Sequence, residues 1–334
     1  MKYCTNCGLP ESLPSSRIDG SGTCYYCRTQ ASASKMAEKR ESLRNRFADL
    51  LEQKRGSGPV DILVAYSGGK DSTYTLHLLK TVYKARVATF TMDHGFIPEQ
   101  TFRNIRTVVG ALDMDWIHIR PRPELLRQLF RIAAFQNPYP PKSLERANPV
   151  CTVCMAIVKA IALRMALCNG VPFLGYGWSP GQAPIQSSLF RMPAEMLEQS
   201  QRSLFDPLIK VCGRDQLASY LLDPKSYRDE ENIPYQVNPL GFHDYEESEI
   251  LSLIKTLGWK RPEGIDPNSS NCELNSFAVS NHTERFGYHP YAFEMASLVR
   301  QGALRREEAI HRQETPPPQD LVDRAGKWLE DPSG

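Results

Sequence analysis

Asp61-Ile62-Leu63-Val64-Ala65-Tyr66-Ser67-Gly68-Gly69-Lys70-Asp71-Ser72 decides how the rest of the chain is read. Asp61 to Tyr66 is a short, mostly apolar run, as expected of a strand buried on both faces of a parallel sheet. Ser72 to Tyr83 follows with Leu76, Leu79 and Val82 on one helical face. Two adjacent glycines between strand and helix let the backbone turn sharply and approach a ligand without Cβ interference. The freed N–H groups and the helix N-terminus then form an anion site. Ser67 and Ser72 add hydroxyl donors, and Lys70 adds a cation. Asp71 does not suit simple anion binding, so it points to a metal or to the orientation of a catalytic group. A plain strand-to-helix turn is the bland alternative, and six specific residues in this context disfavour it.

The alternation continues outward from the loop. Arg86 to Met92, Trp116 to Ile119 and Val171 to Tyr176 read as further strands. Residues 97–111, 123–136 and 154–169 read as helices, with a Pro-rich loop from Asn137 to Pro149. Such a pattern predicts right-handed crossovers and a Rossmann-like α/β fold, a parallel sheet with helices on both faces. Residues 35–55 read as a charged helix ended by Gly56-Ser57-Gly58-Pro59. Beyond residue 180 the pattern weakens. Helices are expected over Glu246–Leu257 and Tyr291–Gln301, and the tail from Gln313, with Pro316-Pro317-Pro318, is expected to be loosely held.

The chain has 334 residues, 41% of them hydrophobic and 23% charged, enough for about two domains with real cores. Forty Lys and Arg against 38 Asp and Glu exclude a protein that holds nucleic acid by bulk charge, though not one with a local basic patch. The most apolar stretch, Met155 to Leu174, is interrupted by Lys159 and Arg164, so no membrane span is expected. With no apolar leader and an odd number of cysteines, nine, the expectation is a cytoplasmic protein with metal-binding or redox Cys-x-x-Cys pairs, not a disulfide framework.

Cys4-x-x-Cys7 and Cys24-x-x-Cys27 stand sixteen residues apart, the spacing of a two-knuckle Cys4 zinc site. The segment has few aliphatic residues and needs such a staple. Cys151 and Cys154 open a helix, where the dipole favours thiolates, and Cys272 lies far downstream in Ser269-Ser270-Asn271-Cys272. Three readings of that second set stay open: a metal cluster, a persulfide or disulfide relay, and structural packing. Cys168 and Cys212 lack partners at metal spacing and read as core residues.

The loop Ser67 to Ser72 resembles that of the PP-loop ATP pyrophosphatases, whose pattern is Ser-x-Gly-Gly-x-Asp-Ser; it is not a Walker A loop. Asp93-His94-Gly95 and Leu174-Gly175-Tyr176-Gly177 extend the resemblance. It implies that Tyr66, Ser67, Gly68, Gly69, Lys70, Asp71, Ser72, Asp93 and Gly175 bind ATP with Mg2+. Lys70 and Asp71 would act in transfer of AMP to a substrate oxygen, with release of pyrophosphate. Cys151, Cys154 and Cys272 resemble the ligands of a [4Fe–4S] cluster in the tRNA-thiolation members. Met1-Lys2-Tyr3-Cys4, Arg285-Phe286-Gly287-Tyr288 and Arg305-Arg306-Glu307-Glu308-Ala309 are instead similar to the N-acetyl sugar amidotransferases.

The resemblances imply four segments. They are a zinc ribbon over 1–34, a charged linker helix over 35–58, the ATP domain over 59–260 and a helical extension over 261–334. They imply sulfur transfer to a tRNA or small molecule, with a sulfur-donor protein. The alternative is ammonia transfer to a sugar, with a glutaminase partner. A homodimer is compatible with either. A nucleotide-binding adaptor that docks through its ribbon is the reading without catalysis. Trp178-Ser179-Pro180-Gly181-Gln182 reads either as a substrate contact or as a surface loop. Pro239-Leu240 before Glu246, Glu247 and Glu249 reads first as the acidic start of a helix. His282 and His289 read first as structural histidines, and Arg300, Arg305 and Arg306 as a solvated helix face.

Overall fold

The computed structural model describes every residue except Met1, Pro267, Asn268, Ser270 and 331–334. Met1 and Ser270, quoted above in two motifs, thus lie outside the described residues. In chain order the elements are α1 (Tyr25–Arg28), α2 (Ala33–Lys54), β1 (Ile62–Ala65), α3 (Lys70–His77), β2 (Val87–Met92), α4 (Glu99–Ala111), β3 (Asp115–Ile119), α5 (Pro123–Gln136), α6 (Pro149–Asn169) and β4 (Phe173–Gly175). There follow β5 (Leu189–Arg191), α7 (Ala194–Cys212), α8 (Arg214–Leu217), β6 (Tyr235–Val237), α9 (Glu247–Thr256), α10 (Leu274–Phe286), α11 (Ala292–Arg300), α12 (Arg306–Glu314) and α13 (Gln319–Glu330).

One sheet organises the molecule, in the order β3-β2-β1-β4-β6-β5. The first five are parallel, with Ile62 opposite both Val87 and Phe173. β5 runs antiparallel to β6 and closes one edge of the expected, otherwise parallel sheet. Central strands buried on both faces need apolar residues throughout, and β1 and β2 have them. On one face Leu43, Phe47 and Leu51 of α2, Leu76 of α3, Val108 of α4 and Ile254 of α9 pack with Ile62, Val64 and Phe173. The face of α2 expected only to link is therefore built into the core. On the other face Leu63, Phe90 and Leu174 meet Ala162 and Ala166 of α6.

α6 is long and apolar enough to cross a membrane by length and composition. Here it is the central helix, packed against β1, β4, α5, α7 and α10. Asn148 caps it by accepting from Cys151 N at 2.7 Å, so it starts two residues before Cys151 and includes both cysteines.

Four expectations change. α3 runs into a π turn, Leu78–Val82, whose wider pitch turns Val82 out to solvent, 56% exposed. α7 was not foreseen, since Pro207 and its polar residues mask a face of Leu197, Phe205 and Leu208. The tail expected to be loose is helical, because Leu321, Ala325 and Leu329 repeat every fourth residue and pack with α5 and α10. Cys168 is exposed near the end of α6, not a core residue.

Candidate functional site: a glycine loop, three half-buried thiols and a four-cysteine knuckle

The loop lies where the strand order reverses. β1 and β4 are neighbours, but the chain visits β2 and β3 between them. Their carboxyl ends therefore flank a crevice, the place where open α/β sheets bind ligands. Gly68 has φ +76, and a Cβ there would stand 2.7 Å from Thr101 Cγ2 and 2.8 Å from Ile105 Cγ1. Trp259 Nε1 donates to the Gly68 carbonyl at 2.9 Å. Gly69 is the N-cap of α3 and has no capping side chain, so the first N–H groups of the helix are available to an anion. Ser67 Oγ and Ser72 Oγ are 3.0 Å apart.

Lys70 and Asp71 form a compact network with a residue far along the chain. Lys70 Nζ lies 2.9 Å from Asp71 Oδ1 and 2.6 Å from Tyr245 Oη. Tyr245 Oη in turn donates to Asp71 Oδ1 at 2.8 Å. Glu247 Oε1 stands 3.9 Å from the same ammonium, and Arg312 lies 3.4 Å from Glu247. Burial, then the charge of Asp71, keeps the Tyr245 phenol protonated well above its usual range.

Other expected residues divide. Asp93 is buried at the end of β2, accepts from Gly95 N at 2.8 Å, and lies 3.6 Å from His118 Nε2 and 3.7 Å from Arg120 Nε. Its edge is shared with the loop. Tyr66 turns its phenol into the core, against Thr73 Oγ1 at 3.0 Å. Gly175 lies inside β4, where a Cβ would meet Val64 Cγ2 at 2.8 Å. The glycine that touches the loop is Gly177: a Cβ there would be 2.4 Å from Ser72 Cα.

The second cysteine set gathers beside this crevice. A Cβ on Gly69 would lie 3.4 Å from the Asn271 side chain, and Cys272 follows Asn271. Asn148 Nδ2 donates to Cys151 Sγ at 3.1 Å, and Tyr291 also hydrogen-bonds that thiol. Burial raises all three thiols; the charge of Cys151 raises Cys154 and Cys272 further, that of Cys272 raises Cys154, and hydrogen bonds from Asn148 and Tyr291 offset part of the effect at Cys151. Cys272 reaches about 12. Unassisted, they stay protonated at neutral pH, which weighs against a metal-free thiolate relay. A bound cation reverses that balance. Soft, half-buried thiols that influence one another's ionisation fit an iron–sulfur cluster by donor chemistry.

The first set is tighter. All four sulfurs of Cys4, Cys7, Cys24 and Cys27 lie within 4.8 Å of one another. Cys4 and Cys27 are 3.9 Å apart, and Cys7 and Cys24 are 3.6 Å apart. Tetrahedral zinc with bonds of about 2.3 Å sets its sulfurs about 3.8 Å apart, so the residues fit that ion. The knuckle has neighbours from the other end of the chain. Tyr288, Ala292, Phe293 and Ala296 pack on Leu9 and Leu13. Arg300 donates to Cys7 Sγ at 3.4 Å and Arg306 to Cys4 O at 3.1 Å, so two arginines expected on a solvated face serve the knuckle instead.

Tyr245, Gly177, Tyr291 and Glu294 were missed. Glu294 on α11 accepts from Ser179 Oγ at 2.6 Å, and its carboxyl is raised chiefly by burial, with Asp71 adding to the effect. A Cβ on Gly181 would stand 2.5 Å from Glu294 O. The Trp178–Gln182 segment is thereby sealed onto α11. No local signal marks these residues, which are joined to the loop by the fold alone; Gly177 stood in a quoted motif and was passed over for Gly175.

No family model matches the chain. A curated relative, the uncharacterized protein MJ1599 of Methanocaldococcus jannaschii, is 20% identical over 300 residues, 89% of this chain and 87% of that protein. Among solved structures, the U34-tRNA thiolase NcsA of Methanococcus maripaludis with its [4Fe-4S] cluster is 16% identical, covers 94% of this chain and 90% of its own, and has a TM-score of 0.38. A predicted tRNA methyltransferase subunit of Methanocaldococcus jannaschii is 17% identical over 70% of this chain and 91% of its own, TM-score 0.34. The NH3-dependent NAD synthetase of Campylobacter jejuni is 13% identical over 90% and 98%, TM-score 0.36. The chemistry therefore rests on the residues themselves: a glycine loop with a lysine–aspartate pair at the sheet's switch point, and half-buried thiols beside it.

Proposed function

We propose that the chain is a PP-loop ATP pyrophosphatase that adenylates a substrate oxygen and then transfers sulfur to the activated position. The observation that supports this reading is the approach of Asn271, next to Cys272, to Gly69, with Cys272 electrostatically coupled to Cys151 and Cys154. In this reading the loop N–H groups, Ser67, Ser72 and Lys70 hold the ATP phosphates, and Asp71 holds Mg2+, a hard cation suited to carboxylate oxygen. The substrate oxygen attacks the α-phosphorus, its bond to the pyrophosphate oxygen breaks, and pyrophosphate leaves. A sulfur nucleophile then attacks the activated carbon, and AMP leaves with the bonding electrons. Tyr245 orients Asp71 between these events. Cys151, Cys154 and Cys272 would hold a [4Fe–4S] cluster, which when bound offers an iron for sulfur delivery. Residues 1–34 hold zinc, 35–58 tie the knuckle to the sheet, 59–260 bind ATP, and 261–334 carry the residues that close the site.

The test is metal and sulfide content after strictly anaerobic purification, together with ATP-dependent pyrophosphate release. About one zinc and about four irons, the iron lost and the zinc kept in Cys151→Ala, is the expected result. Zinc without iron, even after reconstitution, overturns sulfur transfer through a cluster. Ammonia transfer with a glutaminase partner would then be preferred. It is favoured by one observation: Tyr288 and Arg306, from the motifs that resemble the amidotransferases, pack on the knuckle that carries the third motif. ATP binding without pyrophosphate release, together with an inert Asp71→Ala substitution, would instead make the chain a nucleotide-binding adaptor.

A further inference from the structure

Between the sheet and helices α6 and α7 lies a cavity of about 60 Å³, lined by Lys159, Tyr176, Gln201, Leu204, Phe205 and Gln236 among others. That is room for about four to six heavy atoms or waters. Its walls are apolar apart from a few side chains. Lys159 is the cationic one. Among the described residues no carboxylate pairs with it, and the contact it makes is to the ring face of Trp178, at 5.1 Å. Trp178 stacks on Tyr176, with centroids 4.6 Å apart and planes 12° apart. Burial alone lowers the Lys159 pKa, so no neighbouring acid offsets its desolvation. Gln201 Oε1 is already used by Leu222 N at 3.0 Å, and the same side chain hydrogen-bonds Tyr227.

An ammonium in such a place costs free energy unless an anion joins it. The cation-π contact recovers part of that cost. The Lys159 end of the cavity abuts Trp178, and Trp178 N is bound to Asn238 Oδ1 at 3.1 Å, just past the ends of β4 and β6. Lys159 thus connects the cavity, through Trp178, to the segment that follows β4.

We propose that this cavity receives the acidic group of a small organic acid, with Lys159 as its counter-ion, and that this acid is the acceptor in the reaction above. The inference rests on that reading and narrows it: a neutral sugar or an RNA base would leave Lys159 unpaired, and a carboxylate with two or three carbons matches the volume. The remainder of the acceptor lies toward the loop.

The test uses the purified holoenzyme and a series of probes: acetate, propionate, butyrate and succinate, with propionamide and butyramide as neutral counterparts. Binding is followed by thermal shift and by NMR of 13C-labelled carboxylate. Expected are carboxylate-dependent shifts absent for the amides, affinity at least tenfold weaker in Lys159→Met, and recovery in Lys159→Arg. Lys159→Met itself should melt no lower than the parent, because it removes an unpaired charge; its melting curve guards against a folding defect. Succinate, the probe with a second carboxylate left to reach toward the loop, should also stimulate ATP-dependent pyrophosphate release. Equal response to acids and amides, or unchanged affinity in Lys159→Met, overturns the site. Binding of succinate without stimulated release overturns its acceptor role. ATP binding and iron content, measured on the same samples, report separately on the reading on which the proposal rests.

Discussion

At the residue scale the loop is defined by contacts that allow no substitute. Gly177→Ala would drive a Cβ to 2.4 Å from the Ser72 backbone. Neither partner is a flexible tip, so α3 must shift. Its expected outcome is a fold that survives with ATP affinity reduced at least about tenfold, read by calorimetry. On the function proposed above, Asp71→Asn should lower pyrophosphate release by about 10²–10³-fold, since it would remove charge where phosphates and metal are held. Tyr245→Phe removes one neutral donor to Asp71 and leaves the Lys70–Asp71 contact at 2.9 Å. A smaller loss, about five- to tenfold, is expected in kcat, in line with one hydrogen bond. A Tyr245→Phe enzyme as impaired as Asp71→Asn would give the phenol a direct part in the chemistry. Six consecutive residues made this loop legible in the sequence. Tyr245, Tyr291 and Glu294 were not legible, because each comes from an element about 100 residues or more away and carries no local pattern. Gly175 and Gly177 differ by two positions, and only the strand register tells which one packs in the sheet and which one faces α3.

At the element scale, strands and helices before residue 180 were legible because each repeats its apolar residues long enough to show a period. β5 and β6 have three residues each, too few for any alternation, and are held as strands by their pairing with each other and with β4. The helix α13 was obscured by the prolines before it, although its own spacing of Leu321, Ala325 and Leu329 is regular. Ending the chain at Pro318 should expose the core that Phe277 and Ala278 of α10 share with it. Even Leu329→Ala, at a fully buried position, should cost about 2–5 kcal/mol in urea unfolding. A chain ended at Pro318 that unfolds at the parent's midpoint would show that α13 contributes nothing.

At the scale of the whole molecule, two buried histidines set an acid limit. His282 is wholly buried and His289 is 5% exposed, and burial lowers them to about 3 and about 4. In the unfolded chain both titrate near 6.5. Below that pH the unfolded state binds protons that the folded state refuses, so stability is full above about 6.5 and falls as pH drops toward 4. Each histidine contributes up to about 1.4 kcal/mol per pH unit in that window. Urea midpoints at pH 7.5, 6 and 5 check the slope, which His282→Phe should flatten; an unchanged slope in that variant would count against the assignment. The molecule also ties its beginning to its end, for the four-cysteine knuckle packs on α11 and is bonded to α12. On a ribosome the thiols emerge roughly 280 residues before Arg306, an interval of about 15–55 s at 5–20 residues per second. During that time the nascent knuckle has neither its apolar cover nor its arginines. Early metal capture would shield the sulfurs from oxidation until synthesis of the last helices lets the knuckle dock.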